Sequence, residues 1–124
     1  MTKPAAIEKL VRACFTAYAT QDREAIEELL ADDFHFTSPL DNRIDRATYF
    51  EVCWPGSKRA EGFDIVRLTV DGDNAFVTYE GQMGKKRFRN TEVHTVRGGK
   101  IAEVEVYFGW DVPHPVKPGK HKDP

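Results

Sequence analysis

Glu92 and His94 stand two residues apart in residues 88–110, FRNTEVHTVRGGKIAEVEVYFGW. A carboxyl and an imidazole at that spacing can form an acid/base couple. Strand alternation puts both on one face, together with Phe88 and Val96. Their Cα atoms then lie about 7 Å apart, because a strand rises about 3.3 Å per residue, so the side chains can meet directly or through one water. An apolar face disfavours the charged carboxylate, which suits Glu92 to donate as a neutral acid or to act as a base when the pocket wets. The alternative is a Glu92 paired with Arg87 or Arg89 at the sheet rim. His94 is either the partner of Glu92 or a satisfied core residue. Asn90 falls in phase with both and offers a donor and an acceptor for orienting a ligand, or else is a polar residue near an edge.

The elements that must carry these residues follow from periodicity. Ile7, Leu10, Val11, Cys14, Phe15 and Tyr18 form one helical stripe, predicting a helix from about residue 4 to residue 19. Asp22 caps a second short helix with Ile26, Leu29 and Leu30 on its buried side. Residues 34–37 alternate as a strand, broken by the run SPLDN at 38–42. Asp45 caps a third helix through Tyr49, Phe50 and Cys53, and Trp54-Pro55-Gly56 stops it. Residues 57–61 read as a solvated loop. Strands are then predicted at 63–70, 75–83, 87–97 and 100–110, joined by short turns as an antiparallel meander.

Three helices followed by a long curled antiparallel sheet make an α+β domain. The helices are the available cover for one sheet face, and a sheet curled around them encloses a cone with an open mouth. Residues 1–110 form this single domain, and residues 111–124, rich in Pro and Lys, read as a flexible tail.

The chain has 124 residues, 40% hydrophobic and 31% charged, with a net charge of −2. That is one domain's worth, and it gives no electrostatic reason to expect nucleic acid. No apolar run approaches a membrane span, and no signal peptide is visible, so a cytoplasmic location is the expectation. Cys14 and Cys53 lack metal-site spacing and read as reduced thiols in a core. His114 and His121 are too isolated for a metal site. No metal and no cofactor is expected, since no phosphate loop, HExxH or nucleophile elbow occurs.

Tyr18, Trp54 and Tyr79 are aromatics with polar handles and are assigned, with Asn90 and Phe108, to the walls of a substrate pocket. Asp41 is either a base at the mouth or a turn former. Arg43 and Arg46 read as surface partners of nearby acids. Arg87, Arg89, Thr91 and Thr95, with Glu103, Glu105 and Tyr107, share the opposite, outer face.

The order of elements, with AYATQDREAIEELLADDFHFTSP at 17–39, the helix after Asp45 and GGKIAEVEVYFG at 98–109, resembles the NTF2-like superfamily, in particular its SnoaL-like and ketosteroid-isomerase-like branch. The resemblance implies a cone-shaped α+β barrel, and homodimers paired through the outer sheet face. Isomerases of this group use a general-base Asp before a Pro, a helix Tyr and a late-strand acid. By that resemblance the three positions fall at Ser38, Cys14 and Glu92, so two of three groups are absent and steroid isomerisation is not expected. Three functions compete. The first is a cofactor-independent enzyme of isomerase, dehydratase or epoxide-hydrolase type, with Glu92 and His94 catalytic, acting on a small apolar or aromatic, oxygenated ligand. The second is a non-catalytic binder using the same pocket, and the third a protein-interaction module of the same fold.

Overall fold

The computed structural model describes residues 3–110. The predicted tail, with His114 and His121, lies outside the described residues. Helix α1 is Pro4–Thr20, α2 is Arg23–Leu29, strand β1 is Leu30–Ser38 and β2 is Asp41–Asp45. Helix α3, Arg46–Val52, leads through a 3-10 turn, Trp54–Arg59, into β3 (Ala60–Asp71), β4 (Asn74–Met83), β5 (Lys86–Arg97) and β6 (Lys100–Phe108).

Local chemistry sets the helix ends. Pro4 occupies the first turn of α1, where its missing N–H costs nothing. Gln21 closes that helix in the left-handed region at φ 56°, and Asp22 accepts from the Ala25 N–H to start α2. Asp45 does the same for α3 through the Thr48 N–H at 2.9 Å, which holds its carboxyl below the usual carboxylate range. Two cations close α2: Arg46 donates to the Glu27 carbonyl and Lys100 to the Glu28 carbonyl, each at 2.7 Å. Arg43 pairs with Glu103 as expected, but Arg46 reaches a backbone carbonyl instead of an acid and lies over the Phe50 ring.

The six strands form one curved, unclosed sheet in the order β2-β1-β6-β5-β4-β3. Strands β3 to β6 are the expected antiparallel meander. The sheet as a whole is mixed, because β1 joins β6 in parallel, with Phe36 opposite Val104. Alternation specifies which face a residue takes but not the direction of a distant partner strand, so this pairing leaves no local mark. Two further differences lie between β1 and β3. The run 38–42 is not a plain break: the chain turns tightly at Pro39-Leu40 and returns as β2, with Ser38 opposite Asp41. Residues 57–61 are not a solvated loop either, since Ser57 is 1% exposed and Ala60 already belongs to β3. Near the far edge, the register of β3 slips between Ile65 and Arg67, leaving Val66 without a partner on β4.

Two apolar clusters fill the space beneath the helices. One gathers Ile7, Val11 and Phe15 of α1 against Val77, Tyr79, Phe88 and Val96. The other joins Ile26, Phe34, Tyr49, Phe50, Ile101 and Val104. The face of β5 alternates as its sequence requires: Phe88, Asn90, His94 and Val96 are buried, while Arg87 and Arg97 are exposed. On the outer face Arg87 and Arg89 pair with Glu80, and Arg87 also with Asp64. The rim pairing open to Glu92 is therefore not the one it makes. No helix among the described residues is long and apolar enough to cross a membrane.

Candidate active site

A cavity of about 580 Å³ lies between α1, α3 and the inner sheet face. Phenylalanine and tyrosine side chains are prominent in its walls, and polar groups reach it from three places.

The inner group stands on adjacent strands. Tyr79 of β4 pairs in register with Asn90 of β5, and Glu92 pairs with Val77, so the pleat brings all three side chains to the concave face. The Tyr79 hydroxyl donates to Glu92 Oε2 at 2.6 Å. His94 Nε2 lies 2.8 Å from Glu92 Oε1. The Asn90 amide Nδ2 donates to the Tyr79 oxygen over a longer 3.4 Å. The orientation of that amide follows from the tyrosine: its one proton is used on Glu92, so its oxygen is left to accept. Asn90 Oδ1 and His94 Nδ1 then have no hydrogen-bond partner among the described residues. His94 is 1% exposed and Asn90 4%, while the Glu92 side chain keeps 15% exposure toward the cavity. Burial, and then the charge of Glu92, push the Tyr79 phenol well above its ordinary range, so it remains a donor.

A pair of phenols lies opposite. Tyr49 of α3 donates to the Tyr18 hydroxyl of α1 at 3.0 Å, and Tyr18 in turn points at the Cys53 carbonyl at 3.5 Å. Burial raises both phenols, and the negative charge of Glu92 adds to each. Cys14, also on the wall, is raised by burial and by Glu92. As a thiol held protonated, it is a weak donor at most.

The mouth carries the third polar group. Leu40 and Val52 border the cavity while 53% and 55% exposed, which marks the opening. Beside them Ser38 Oγ donates to Asp41 Oδ2 at 2.9 Å, and Cys53 Sγ lies 4.0 Å from the same oxygen. Burial and the Asp41 charge push the Cys53 thiol up to about 12. Among the described residues, both cysteines are free thiols and no cluster of His, Cys, Asp and Glu has the makings of a metal site.

Of the residues singled out in the sequence, Glu92, His94, Asn90, Tyr79, Tyr18 and Phe108 border this cavity. Trp54 does not. It packs edge-on behind Tyr18, with ring centroids 4.9 Å apart, and supports the wall from outside. Trp110, two residues past the end of β6, is 45% exposed, with the Arg89 guanidinium over its ring. Tyr49 and Cys53 were missed as wall residues. The signal was present: Tyr49 lies on the buried side of the helix capped by Asp45, Cys53 follows directly at its C-terminal cap, and a buried phenol needs a partner.

The class of protein is thus defined by a hollow α+β domain whose curved sheet carries a buried acid–imidazole–phenol chain on its concave face. The chain belongs to the SnoaL-like domain family, matched over residues 11–104, within the NTF2-like superfamily. No curated protein matches it closely enough to count as a relative. Among solved structures, it is similar to an LEH-like epoxide hydrolase of M. tuberculosis, at 24% identity and a TM-score of 0.70, covering 89% of this chain and 88% of that one. It is similar also to an NTF2-like protein of unknown function from Cytophaga hutchinsonii, at 19% identity and TM-score 0.71, covering 87% and 93%. A de novo designed protein with a curved β-sheet, at 19% identity, matches with TM-score 0.76 over 89% of each chain. At such identities the likeness speaks for the fold alone, and a designed backbone of the same shape makes the point that function has to be argued from the side chains.

Proposed function

We propose that this protein is a cytoplasmic, cofactor-independent acid/base enzyme acting on a small apolar, oxygenated molecule, with Glu92 as the proton-transferring group and His94 as its partner. The observation that carries this reading is the chain Asn90–Tyr79–Glu92–His94 on the wall of a largely apolar cavity. A carboxyl and an imidazole 2.8 Å apart can share one proton. Glu92 takes a proton from the substrate and returns it at a second position, or passes it to a leaving hydroxyl. The Tyr79 hydroxyl steadies the carboxylate while it is charged, and Tyr18, Tyr79, Asn90 and Phe108 orient the substrate. Proton shift, dehydration and epoxide opening all need groups of this kind in a dry site. The absence of a base at Ser38 and of a phenol at Cys14 argues against steroid isomerisation.

The test is turnover of three substrate classes, a cyclic enone precursor, a β-hydroxy ketone and a cyclic epoxide, by wild type and Glu92→Gln. Wild type is expected to convert at least one class, and the variant to lose about a hundredfold or more in kcat. Conversion of none of them, or a rate and pH profile indifferent to Glu92→Gln, would remove the catalytic reading.

One observation favours a second reading, a binder without turnover: both oxygens of Glu92 are already engaged, by Tyr79 and His94. Ligand-induced thermal stabilisation without consumption of the ligand would support it. The exposed Phe76 and Tyr107 on the outer sheet face support pairing of two copies there.

A further inference from the structure

The cavity carries two carboxylates, Asp41 and Glu92, and no Lys or Arg side chain among the described residues borders it. Elsewhere guanidinium groups neutralise acids, as in Arg12–Glu8, Arg43–Glu103 and Arg97–Asp33. Neither cavity acid has a guanidinium partner among the described side chains; Glu92 is met instead by the His94 imidazole, and Asp41 by no basic side chain. The two act at different ends. The Glu92 charge is felt by Cys14, Tyr18, Tyr49 and Tyr79, and that of Asp41 by Cys53. At the inner end the hydroxyl protons are spent: Tyr79 donates to Glu92 and Tyr49 to Tyr18. Among the polar atoms left over is an acceptor, Asn90 Oδ1, on a cavity residue only 4% exposed. At the mouth Ser38 occupies Asp41 Oδ2, while Oδ1 has no hydrogen bond among the described residues. Such a hollow repels anions and suits a ligand that brings its own N–H donors and positive charge. A metal ion would need several oxygen ligands, whereas an ammonium group is served by one carboxylate and aromatic faces.

We propose that the ligand is an apolar amine, its ammonium group held at the mouth by Asp41, its hydrocarbon body between the Tyr18, Phe63 and Phe108 walls and its oxygen function toward Glu92. This deepens, and rests on, the small-molecule reading of the cavity given above. It assigns Asp41 to binding: the side chain that could stand in for an absent base is a cation anchor.

The experiment is calorimetric titration at neutral pH and low salt with three probes of one skeleton: naphthylethylamine, naphthylethanol and naphthylacetic acid. The amine is expected to bind about tenfold more tightly than the alcohol, and the acid most weakly. Asp41→Asn, which still accepts from Ser38, is expected to bring the amine to within about twofold of the alcohol and to leave the alcohol unchanged. An acid bound as tightly as the amine, an amine advantage that survives Asp41→Asn, or no binding by any of the three would overturn the assignment. An amine preference in a protein that converts none of the substrate classes would uphold it while removing the catalytic role of Glu92. Conversion of an epoxide or ketone without any amine preference would do the reverse.

Discussion

The wall of β4 and β5 and the turn between β1 and β2 both aim polar side chains into one cavity, but they hold them differently. On the wall, Tyr79, Asn90, Glu92 and His94 are fixed by cross-strand register, and each is hydrogen-bonded to another member of the set. At the turn, Ser38 and Asp41 stand on a tight connection, half-buried, with the partly exposed Leu40 between them at the rim of the cavity. Groups in the first set cannot move without breaking buried bonds, and those in the second adjust at little cost. Under the proposed function, the contrast suits a division of labour in which the wall does the chemistry and the mouth selects what enters.

That contrast can be broken by stability measurements. His94→Ala should have the largest effect. It removes a side chain that is 1% exposed and strips Glu92 of one of two donors, so a loss of about 3 kcal/mol is expected in urea unfolding. A loss below about 1 kcal/mol would mean the wall is not the rigid half.

Alkaline pH sharpens the same point. Tyr18, Tyr49 and Tyr79 all titrate above their ordinary value of 10.0 in the folded chain, chiefly through burial. A phenol whose folded value is raised favours the native state in its neutral form, and that contribution is lost once the pH passes the unfolded value and the unfolded chain ionises first. Stability should therefore hold below about pH 10 and fall above it. Spectrophotometric titration should show the three inner tyrosines ionising together with unfolding. Exposed Tyr107, raised chiefly by its bond to Glu105 and then by the charge of that residue, should ionise before them. Three independent ionisations without unfolding would contradict the buried network.

Ser38→Ala should be the smallest effect, below about 0.5 kcal/mol in the same unfolding assay, because the two bonds it removes, one to Asp41 and one from the Leu40 N–H, lie in a partly exposed turn where water can replace them. A cost comparable to that of His94→Ala would erase the distinction between wall and mouth.

How far the sequence carried depends on the kind of information each feature needs. Glu92 and His94 were legible because a period of two is a local property and apolar neighbours mark the inner face. The caps at Asp22 and Asp45 were legible for the same reason, since each acts within three residues. The parallel pairing of β1 with β6 was not, because it joins Phe36 to Val104 across most of the chain. Strand β2 was hidden by its composition: DNRID carries turn formers, and Arg43 takes a left-handed φ of 46° inside it. Trp54 was misplaced because periodicity shows that an aromatic is buried but not whether a cavity or another ring lies in front of it.

The slip in β3 at Val66 has a consequence beyond local register. An open sheet presents its outermost strand to any neighbour able to extend it, and here that strand is 12 residues long. The interruption between Ile65 and Arg67 and the positive φ of Gly62 at 139° divide the free backbone donors and acceptors into short, misaligned stretches. A second molecule therefore finds no continuous template for adding a strand along β3, and that edge of the sheet is blunted against fibrous self-association.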